Sequence, residues 1–291
     1  MTRMILVFLL LICSTFVSAS DKSETADAVP VPEAKVFTTQ HEMNLAGKTV
    51  NYTATAGTML MKNKESKPIA LMGYTAYVAN GKRSKNRPLM FAYNGGPGSA
   101  SIWLHMGILG PQRAVATDAG FSSNGPFRHV DNDFSIIDEV DLVMIDPVGT
   151  GFSKPVGEGK GKDFWGVDQD IRSVSDFIVQ YVTENGRWAS PKFILGESYG
   201  GMRSGGVAWR LLTEHNLALN GVVLVSPFMT MTTGFSGMGI DLPHVMFLPT
   251  FAASAWYHDA LADKPENLEA FMEEVEQFSL QEYAPALLMG E

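Results

Sequence analysis

Four short apolar runs in the middle of the chain are separated by longer segments with a helical pattern. None of the runs alternates between apolar and polar residues, and each is bounded by Gly, Pro, Asp or Asn. Continuous apolar runs of this length are typical of strands that are buried on both faces of a parallel sheet. The predicted strands are Leu89–Tyr93, Leu142–Ile145, Phe193–Leu195 and Val222–Val225.

Two helices are predicted between these strands. In the first, apolar residues recur at spacings of three and four, and Asn185-Gly186 forms a stop signal. The second spans Gly200 to His215. Strands that alternate with helices indicate an α/β fold with a doubly wound, mostly parallel sheet. The apolar positions of the first helix are Val167, Ile171, Val174, Ile178, Tyr181 and Val182.

The two ends of the chain have different patterns. Between Val36 and Val78 strand-like runs predict an N-terminal antiparallel meander, with turn signals such as Asn80-Gly81. After Pro227 the strand pattern stops, and from Leu248 onward only helical pattern remains. The runs of the meander are Thr49–Thr53, Thr58–Met61 and Ile69–Val78.

The first residues have the features of a secretory signal. Arg3 is followed by an apolar run from Met4 to Cys13 and by the small residues at 17–19. The run is too short for a stable membrane anchor, and cleavage after Ala19 would remove the only Cys. We therefore expect a secreted or periplasmic protein, with a signal peptide at 1–19 and a disordered leader at 20–35.

Charge narrows the choice of partners. The formal net charge is −9, and without Arg3 the chain keeps 21 basic against 31 acidic side chains, a net charge of −10. Such an acidic chain is a poor partner for nucleic acid or an anionic membrane surface. No His, Asp or Glu cluster has the spacing of a metal site, so we predict no metal and no cofactor. The sequence carries no signal for an oligomeric state.

The strongest chemical signal is Gly196-Glu197-Ser198-Tyr199-Gly200. It is a Gly-x-Ser-x-Gly motif that directly follows a predicted strand and directly precedes a predicted helix. This is the context of a nucleophile elbow, in which a tight turn exposes the serine hydroxyl at the end of the strand. Ser198 is the candidate nucleophile; the alternative is an ordinary turn serine.

A Gly-rich loop follows the first buried strand, with the sequence Asn94-Gly-Gly-Pro-Gly-Ser99. In an elbow enzyme the amide of the residue after the nucleophile, here Tyr199, supplies one oxyanion donor, and a loop in this position supplies the second. The alternatives are a phosphate-binding loop and a plain turn. The loop matches neither the dinucleotide-binding motif nor the P-loop motif.

Three segments in order resemble signatures of the serine carboxypeptidase family: Asn94–Ser101, Asp146–Ser153 and Gly196–Gly200. The resemblance covers roughly Ala70 to Pro227, and the helical tail resembles the start of the family's cap insertion. It implies an α/β-hydrolase fold, a secreted bacterial member of the family, and peptide substrates with a free C-terminus. The core would be residues 36–227, and the start of the cap would be residues 228–291.

The resemblance also implies residue roles. Ser198 would be the nucleophile, and the amides of Gly96 and Tyr199 would form the oxyanion hole. Asn94 and Glu197 would bind the substrate's C-terminal carboxylate. A carboxyl group in that role must be neutral, because only the neutral acid can donate a hydrogen bond to another carboxylate.

Two positions depart from the family pattern. Ile108 stands where acidic carboxypeptidases have a second Glu that pairs with the one before the nucleophile. Ala92 stands where they have a Trp. Both changes affect carboxylate recognition and neither affects acyl chemistry. The sequence therefore supports hydrolysis more firmly than exopeptidase selectivity.

The triad acid and histidine are not evident. An α/β hydrolase supplies them after the nucleophile, on loops that follow later strands. His215 is too far along the helix that starts at Ser198. His244, near Asp241, and His258, beside Asp259, lie in segments with no predicted strand. The remaining histidines precede the nucleophile: His41, His105 and His129.

We therefore expect a chain truncated within the cap; the alternative is a degenerate relative that binds without turnover. Three functions stay open. They are a serine carboxypeptidase, an acyltransferase or esterase on the same scaffold, and a non-catalytic fragment.

Overall fold

The computed structural model describes residues 31–81, 86–116, 125–234, 237 and 239–290. The predicted signal peptide at 1–19 and residues 20–30 of the predicted leader lie outside these ranges. The strands are β1 (Val36–Leu45), β2 (Lys48–Lys62), β3 (Pro68–Ala79), β4 (Leu89–Tyr93), β5 (Gln112–Ala114), β6 (His129–Asp131), β7 (Asp141–Ile145), β8 (Lys154–Pro155), β9 (Lys192–Glu197) and β10 (Gly221–Val225).

The helices are α1 (Ile102–Leu104), α2 (Val167–Glu184), α3 (Tyr199–His215), α4 (Met231–Gly234), α5 (Leu242–Tyr257), α6 (Leu268–Phe278) and α7 (Ala284–Met289). A π-helical turn, His105–Leu109, continues α1, and a second one, Ser279–Tyr283, joins α6 to α7. A short 3₁₀ helix, Gly161–Asp163, precedes α2.

Within the described ranges, the main sheet has the strand order β1-β2-β3-β7-β4-β9-β10, and β8 pairs with β3. The strands β1, β2 and β3 form the predicted antiparallel meander. The strands β7, β4, β9 and β10 are parallel to one another. The predicted α/β class is therefore confirmed, as a mixed sheet whose parallel strands carry the crossover helices.

One strand of the meander is longer than the sequence pattern predicts. Two separate runs, Thr49–Thr53 and Thr58–Met61, belong to the single strand β2. The small residues between them interrupt the side-chain pattern but still pair with both neighbouring strands. Gly57 lies in this stretch, and a Cβ there would be 2.6 Å from the carbonyl oxygen of Lys35.

The helices α2 and α3 cover one face of the parallel strands, with bounds within about one residue of those predicted. Their apolar stripes pack on the sheet in a core that includes Phe91, Phe177, Ile194 and Val207. The other face carries a second core, which includes Leu104 and the π-helical turn's Leu109. Elements thus lie on both faces of the sheet, which is the doubly wound arrangement.

The strand β10 differs from the prediction in its burial. Its bounds agree with the predicted run, but Val222, Val223 and Leu224 are 43%, 40% and 42% exposed. Burial on both faces was therefore the wrong expectation for this strand. The physical reason is its place at the end of the strand order, where only β9 pairs with it.

The C-terminal helices α4 to α7 pack mainly on one another. The helix α5 starts at Leu242, before the predicted onset of helical pattern at Leu248, and Ser279 Oγ donates a 2.6 Å hydrogen bond to the carbonyl of Val245. None of the helices that the structure describes has the length and apolar character to cross a membrane. The predicted boundary between core and cap at residue 227 stays a prediction.

Candidate functional site

The candidate site lies where two neighbouring parallel strands end. The strand β4 pairs with β9, and Tyr93 is the register partner of Gly196. The Gly-rich loop begins directly after β4, and the elbow begins at the end of β9. Because the carboxyl ends of parallel strands meet at the same edge of a sheet, this pairing brings the two predicted motifs together.

Ser198 has the backbone conformation of a nucleophile elbow. Its φ of 57° and ψ of −123° lie in a region that L-residues rarely occupy. The N–H of Ser198 donates a 3.0 Å hydrogen bond to the carbonyl of Val225, and its own carbonyl accepts 2.9 Å hydrogen bonds from the N–H groups of Gly201 and Phe228. These contacts with β10 and α3 hold the strained residue in place.

Two glycines permit the close approach of backbone segments in the site. A Cβ at Gly196 would lie 2.1 Å from the carbonyl oxygen of Gly200, within the elbow itself. A Cβ at Gly95 would lie 2.5 Å from the amide nitrogen of Tyr199 and 2.7 Å from the carbonyl oxygen of Glu197. The Gly-rich loop therefore rests directly on the elbow, and only glycine fits at that contact.

The amides of Gly96 and Tyr199 are both free to donate. Among the described residues, neither amide donates a backbone hydrogen bond. Gly96 is solvent-exposed with a φ of 104°, and Tyr199 is the first residue of α3, where the N–H has no partner within the helix. Two unpaired donors on adjoining segments are what an oxyanion hole requires.

Asn94 and Glu197 form a hydrogen-bonded pair beside the nucleophile. Asn94 Nδ2 donates to Glu197 Oε2 at 3.0 Å, and Asn94 Oδ1 accepts a 3.0 Å hydrogen bond from the N–H of Leu104. The second contact fixes which end of the carboxamide faces Glu197. The structure thus brings together all five residues that the resemblance singled out, and their roles stay predictions.

The second signature, Asp146–Ser153, has a supporting role. Asp146 Oδ1 accepts a 2.9 Å hydrogen bond from the N–H of Ser101, and the Ser101 hydroxyl donates to the carbonyl of Ile145. Ser153 Oγ accepts a 2.6 Å hydrogen bond from the N–H of Gly73 and donates to the carbonyl of Asp146 at 2.5 Å. Burial raises the pKa of Asp146, against the lowering effect of backbone hydrogen bonds from Ser101 and Phe152.

Two charged residues under the site had no predicted role. Arg203 and Asp170 form a buried ion pair, with 2.7 Å between Arg203 Nε and Asp170 Oδ2. Each residue interrupts the buried stripe of its helix. In α3, Arg203 lies four residues from both Tyr199 and Val207. In α2, Asp170 lies four residues before Val174. That interruption of the stripe is the sequence signal that could have identified them.

Two tyrosines surround this pair. Burial raises the pKa of Tyr93 to about 12, and its hydroxyl forms a 2.9 Å hydrogen bond with Ser204 Oγ. Burial, followed by the charge of Asp170, also raises the pKa of Tyr199. Both phenols are therefore protonated at neutral pH, and neither can serve as a base for Ser198.

The described histidines have contacts elsewhere, and none is hydrogen-bonded to Ser198. His41 stacks on the Tyr52 ring, and His258 lies edge-on to the Tyr257 ring. His129 contacts Gln112, and His215 Nε2 lies 3.5 Å from Asp176. His244 is exposed in the first turn of α5. His105 lies 2.5 Å from the Tyr77 hydroxyl, and burial lowers the pKa of its ring. Within the part of the chain that the structure describes, no group of three His, Cys, Asp or Glu could hold a metal ion.

Several solved structures are similar to this chain. One is the prohormone-processing carboxypeptidase Kex1 of Saccharomyces cerevisiae, with 18% identity, a TM-score of 0.49, and coverage of 78% of this chain and 53% of that one. The peroxisomal α/β-hydrolase Lpx1 of the same yeast has 15% identity, a TM-score of 0.37, and coverage of 70% and 46%. A putative hydrolase of Legionella pneumophila has 10% identity, a TM-score of 0.40, and coverage of 86% and 62%. This chain spans less than two thirds of the length of each.

Comparison with curated protein sequences finds no significant match. Comparison with protein-family models finds one whose description is serine carboxypeptidase, and it matches residues 48–278. This match spans the Gly-rich loop, the elbow and most of the C-terminal helices. Because it covers well over half of the chain, the chain belongs to the serine carboxypeptidase family.

Proposed function

We propose that this chain carries the acylation site of a serine carboxypeptidase, with Ser198 as the nucleophile. The contact between the Gly-rich loop and the elbow is the observation that supports the proposal most directly. The Cβ position at Gly95 lies 2.5 Å from the nitrogen of Tyr199, so the loop that carries the Gly96 amide rests on the segment that carries Ser198 and the Tyr199 amide. A plain turn serine has no need for either the strain or the unpaired donors.

In the proposed reaction, Ser198 Oγ attacks the carbonyl carbon of the last peptide bond of a substrate. The hydroxyl proton passes to a general base, and the carbonyl oxygen becomes an oxyanion that accepts hydrogen bonds from Gly96 and Tyr199. As the intermediate collapses, the C–N bond breaks and the protonated base gives its proton to the leaving nitrogen, which releases the C-terminal amino acid and leaves an acyl ester on Ser198. Water then hydrolyses the ester. No described histidine contacts Ser198, so we expect weak turnover from this chain by itself.

The substrate's free carboxylate would bind at Asn94 and Glu197. Asn94 Nδ2 already donates to Glu197, and a carboxamide nitrogen carries a second hydrogen that a substrate carboxylate can accept. The pair thus favours peptides with a free C-terminus over blocked ones.

A second candidate is an esterase or acyltransferase with the same nucleophile. Ile108 and Ala92 replace the Glu and Trp that the family pattern has in carboxylate recognition. Ala92 is fully buried in β4, and Ile108 is half exposed in the π-helical turn. If Asn94 and Glu197 do not bind a carboxylate, the remaining site is a general acyl-transfer site.

The nucleophile is tested by a fluorophosphonate probe and by hydrolysis of an acyl-blocked dipeptide. We expect Ser198→Ala to remove labelling and to reduce the weak turnover of this chain to the uncatalysed background, because Ser198 is the proposed nucleophile. Ser66→Ala is the matched control, since Ser66 also has a positive φ but lies in an exposed turn. Equal labelling of the wild type and Ser198→Ala would refute the proposal.

The two candidate functions are separated by Glu197→Gln and three substrates: a peptide with a free C-terminus, its C-terminal amide and its ester. For a carboxypeptidase, kcat/KM for the free acid exceeds that for the amide and the ester. Glu197→Gln should change the free-acid value most, because only that substrate presents a carboxylate to position 197. Similar kcat/KM for all three substrates, unchanged in Glu197→Gln, would favour the esterase.

We also propose that the protein acts outside the cytoplasm, as a secreted or periplasmic enzyme. The support is the predicted signal peptide at residues 1–19, which lies outside the described ranges. N-terminal sequencing of the exported protein should begin at Ser20. A chain that keeps Met1 in the cytoplasmic fraction would refute this part of the proposal.

A further inference from the structure

Arg203 is a fully buried cation one turn beyond the nucleophile. Its side chain is 1% exposed and is the largest among the fully buried side chains of the described residues. It belongs to the buried stripe of α3, together with Tyr199, Val207 and Leu211. A buried charge raises the free energy of the folded state unless its hydrogen-bonding groups are paired. The contacts of Arg203 therefore indicate what its side chain does in the structure.

The contacts of Arg203 connect the two segments that carry the candidate oxyanion donors. Its Nη1 donates a 2.7 Å hydrogen bond to the carbonyl oxygen of Asn94, and its Nε donates to Asp170. The guanidinium carbon also lies 5.2 Å from the centroid of the Tyr93 ring and 5.1 Å from that of the Tyr199 ring. One side chain thus contacts the start of the Gly-rich loop, the residue after the nucleophile, and the first turn of α2.

Space filling does not explain a buried arginine at this position. Replacing a buried ion pair by apolar side chains of similar volume is often neutral or stabilising. Arg203 and Asp170 also line a cavity of about 330 Å³, together with Pro97, Gly98 and Trp165. Packing on that side is therefore incomplete, and the hydrogen bonds determine where the guanidinium lies.

The geometry of these bonds bears on the oxyanion hole. The carbonyl of Asn94 belongs to the peptide plane that ends at the nitrogen of Gly95, and the next peptide plane carries the N–H of Gly96. A guanidinium can bond Asp170 and Asn94 simultaneously in a planar fork, which an ammonium group cannot reproduce. Because Arg203 holds the peptide plane between Asn94 and Gly95, it restrains the direction in which the N–H of Gly96 points.

We propose that Arg203, oriented by Asp170, is a positioning residue that sets the two oxyanion donors, Gly96 and Tyr199, at their mutual geometry. The catalytic part of this inference rests on the proposed function. The geometric part does not, because it concerns the local structure around the Gly-rich loop and not the reaction.

The test compares Arg203→Lys with Arg187→Lys in the full chain. Arg187 is the matched control, since it is also a buried arginine with a 2.7 Å ion pair, to Asp141, which lies at the opposite end of the strands. We expect Arg203→Lys to lower kcat about 100-fold with KM within about threefold of wild type, because donor misplacement costs that much in the transition state. Arg187→Lys should lose stability and keep its kcat. Equal kcat values for the two variants would overturn the proposal.

Asp170→Asn is the second variant, in case Arg203→Lys does not fold. Asparagine keeps an acceptor of the same shape but removes the charge that orients Arg203 Nε. We therefore expect kcat to fall about tenfold, which corresponds to the loss of one charge-assisted hydrogen bond. A wild-type kcat in a folded Asp170→Asn would overturn the proposal.

Hydrogen exchange separates this inference from the proposed function. If the wild type has no turnover, the proposed function fails, and the exchange rate of the peptide covering residues 94–104 still tests the geometry. That rate should rise about tenfold in Arg203→Lys and stay unchanged in Arg187→Lys. Unchanged exchange in Arg203→Lys would overturn the positioning role whatever the activity.

Discussion

At the residue scale, Gly95 determines how closely the loop after β4 approaches the elbow. Its hydrogen atom occupies the place where a Cβ would contact three backbone atoms, belonging to Glu197, Tyr199 and Gly200, at 2.5–2.7 Å. Backbone atoms cannot move aside as a flexible side chain can. Any other residue at position 95 must therefore push the loop away from Ser198.

We predict that Gly95→Ala lowers the rate of fluorophosphonate labelling by about 10²–10³-fold, the cost of losing one oxyanion donor, while the protein stays folded. The measurement is the second-order rate constant for labelling, with circular dichroism to verify folding. Gly107→Ala is the control, because a Cβ at Gly107 would meet no heavy atom within 4 Å. Wild-type labelling of Gly95→Ala would mean that the loop does not form the oxyanion hole.

At the element scale, the two edges of the sheet have different chemistry. The edge strand β1 is mostly exposed. After Val36 and Phe37 at its start, its exposed side chains are polar, and some form hydrogen bonds with β2, such as the one from Thr53 to Gln40. The edge strand β10 exposes the apolar residues Val222, Val223 and Leu224. Both edges present unpaired backbone groups, but an exposed apolar edge pairs with another chain more readily than a polar one.

We predict that Val223→Lys reduces aggregation of the purified chain at neutral pH and leaves its melting temperature nearly unchanged. A lysine at an edge can reach water with its charge, and it disfavours pairing of a second strand. Light scattering against time at fixed concentration measures the effect. Val130→Lys, at a similarly exposed valine of β6 away from the main sheet, should aggregate like the wild type. Equal aggregation of both variants would show that β10 is not the reactive edge.

At the scale of the whole molecule, a buried ionic network joins distant parts of the chain. Asp141, at the start of β7, accepts from Arg187 Nη1 at 2.7 Å, from Arg87 Nε at 3.0 Å and from the N–H of Ala79 at 3.0 Å. Arg187 also donates to the carbonyl of Arg87 at 2.8 Å. The network connects β3, the start of β4, β7 and the segment before β9, at the end of the sheet away from the candidate site.

We predict that Asp141→Ala lowers the free energy of unfolding by roughly 3–5 kcal/mol, because it leaves buried arginine charge without a partner. Urea unfolding measures the loss. Glu158→Ala is the control: it removes an equally short ion pair, 2.6 Å from Lys67, but both side chains are more than half exposed, so no measurable loss is expected. A similar loss in both variants would contradict the role assigned to the Asp141 network.

The local sequence determined most of the elements and the turn at the Gly-x-Ser-x-Gly motif. Apolar periodicity located β4, β7, β9, α2 and α3, because side-chain spacing along one segment reflects which faces are buried. The Gly-x-Ser-x-Gly motif predicted the elbow conformation of Ser198, because the turn requires glycines on both sides of the serine. These are properties of contiguous residues, and a single segment contains the information.

Only the tertiary structure decided which elements become neighbours. It left the side chains of β10 only partly covered, so a run that reads as fully buried is about two-fifths exposed. It also brought Asp170, Asn94 and Arg203 into one hydrogen-bonded group from three separate segments. The physical reason is that strand order and the pairing of buried charges depend on contacts between residues distant in the chain, which no local pattern records.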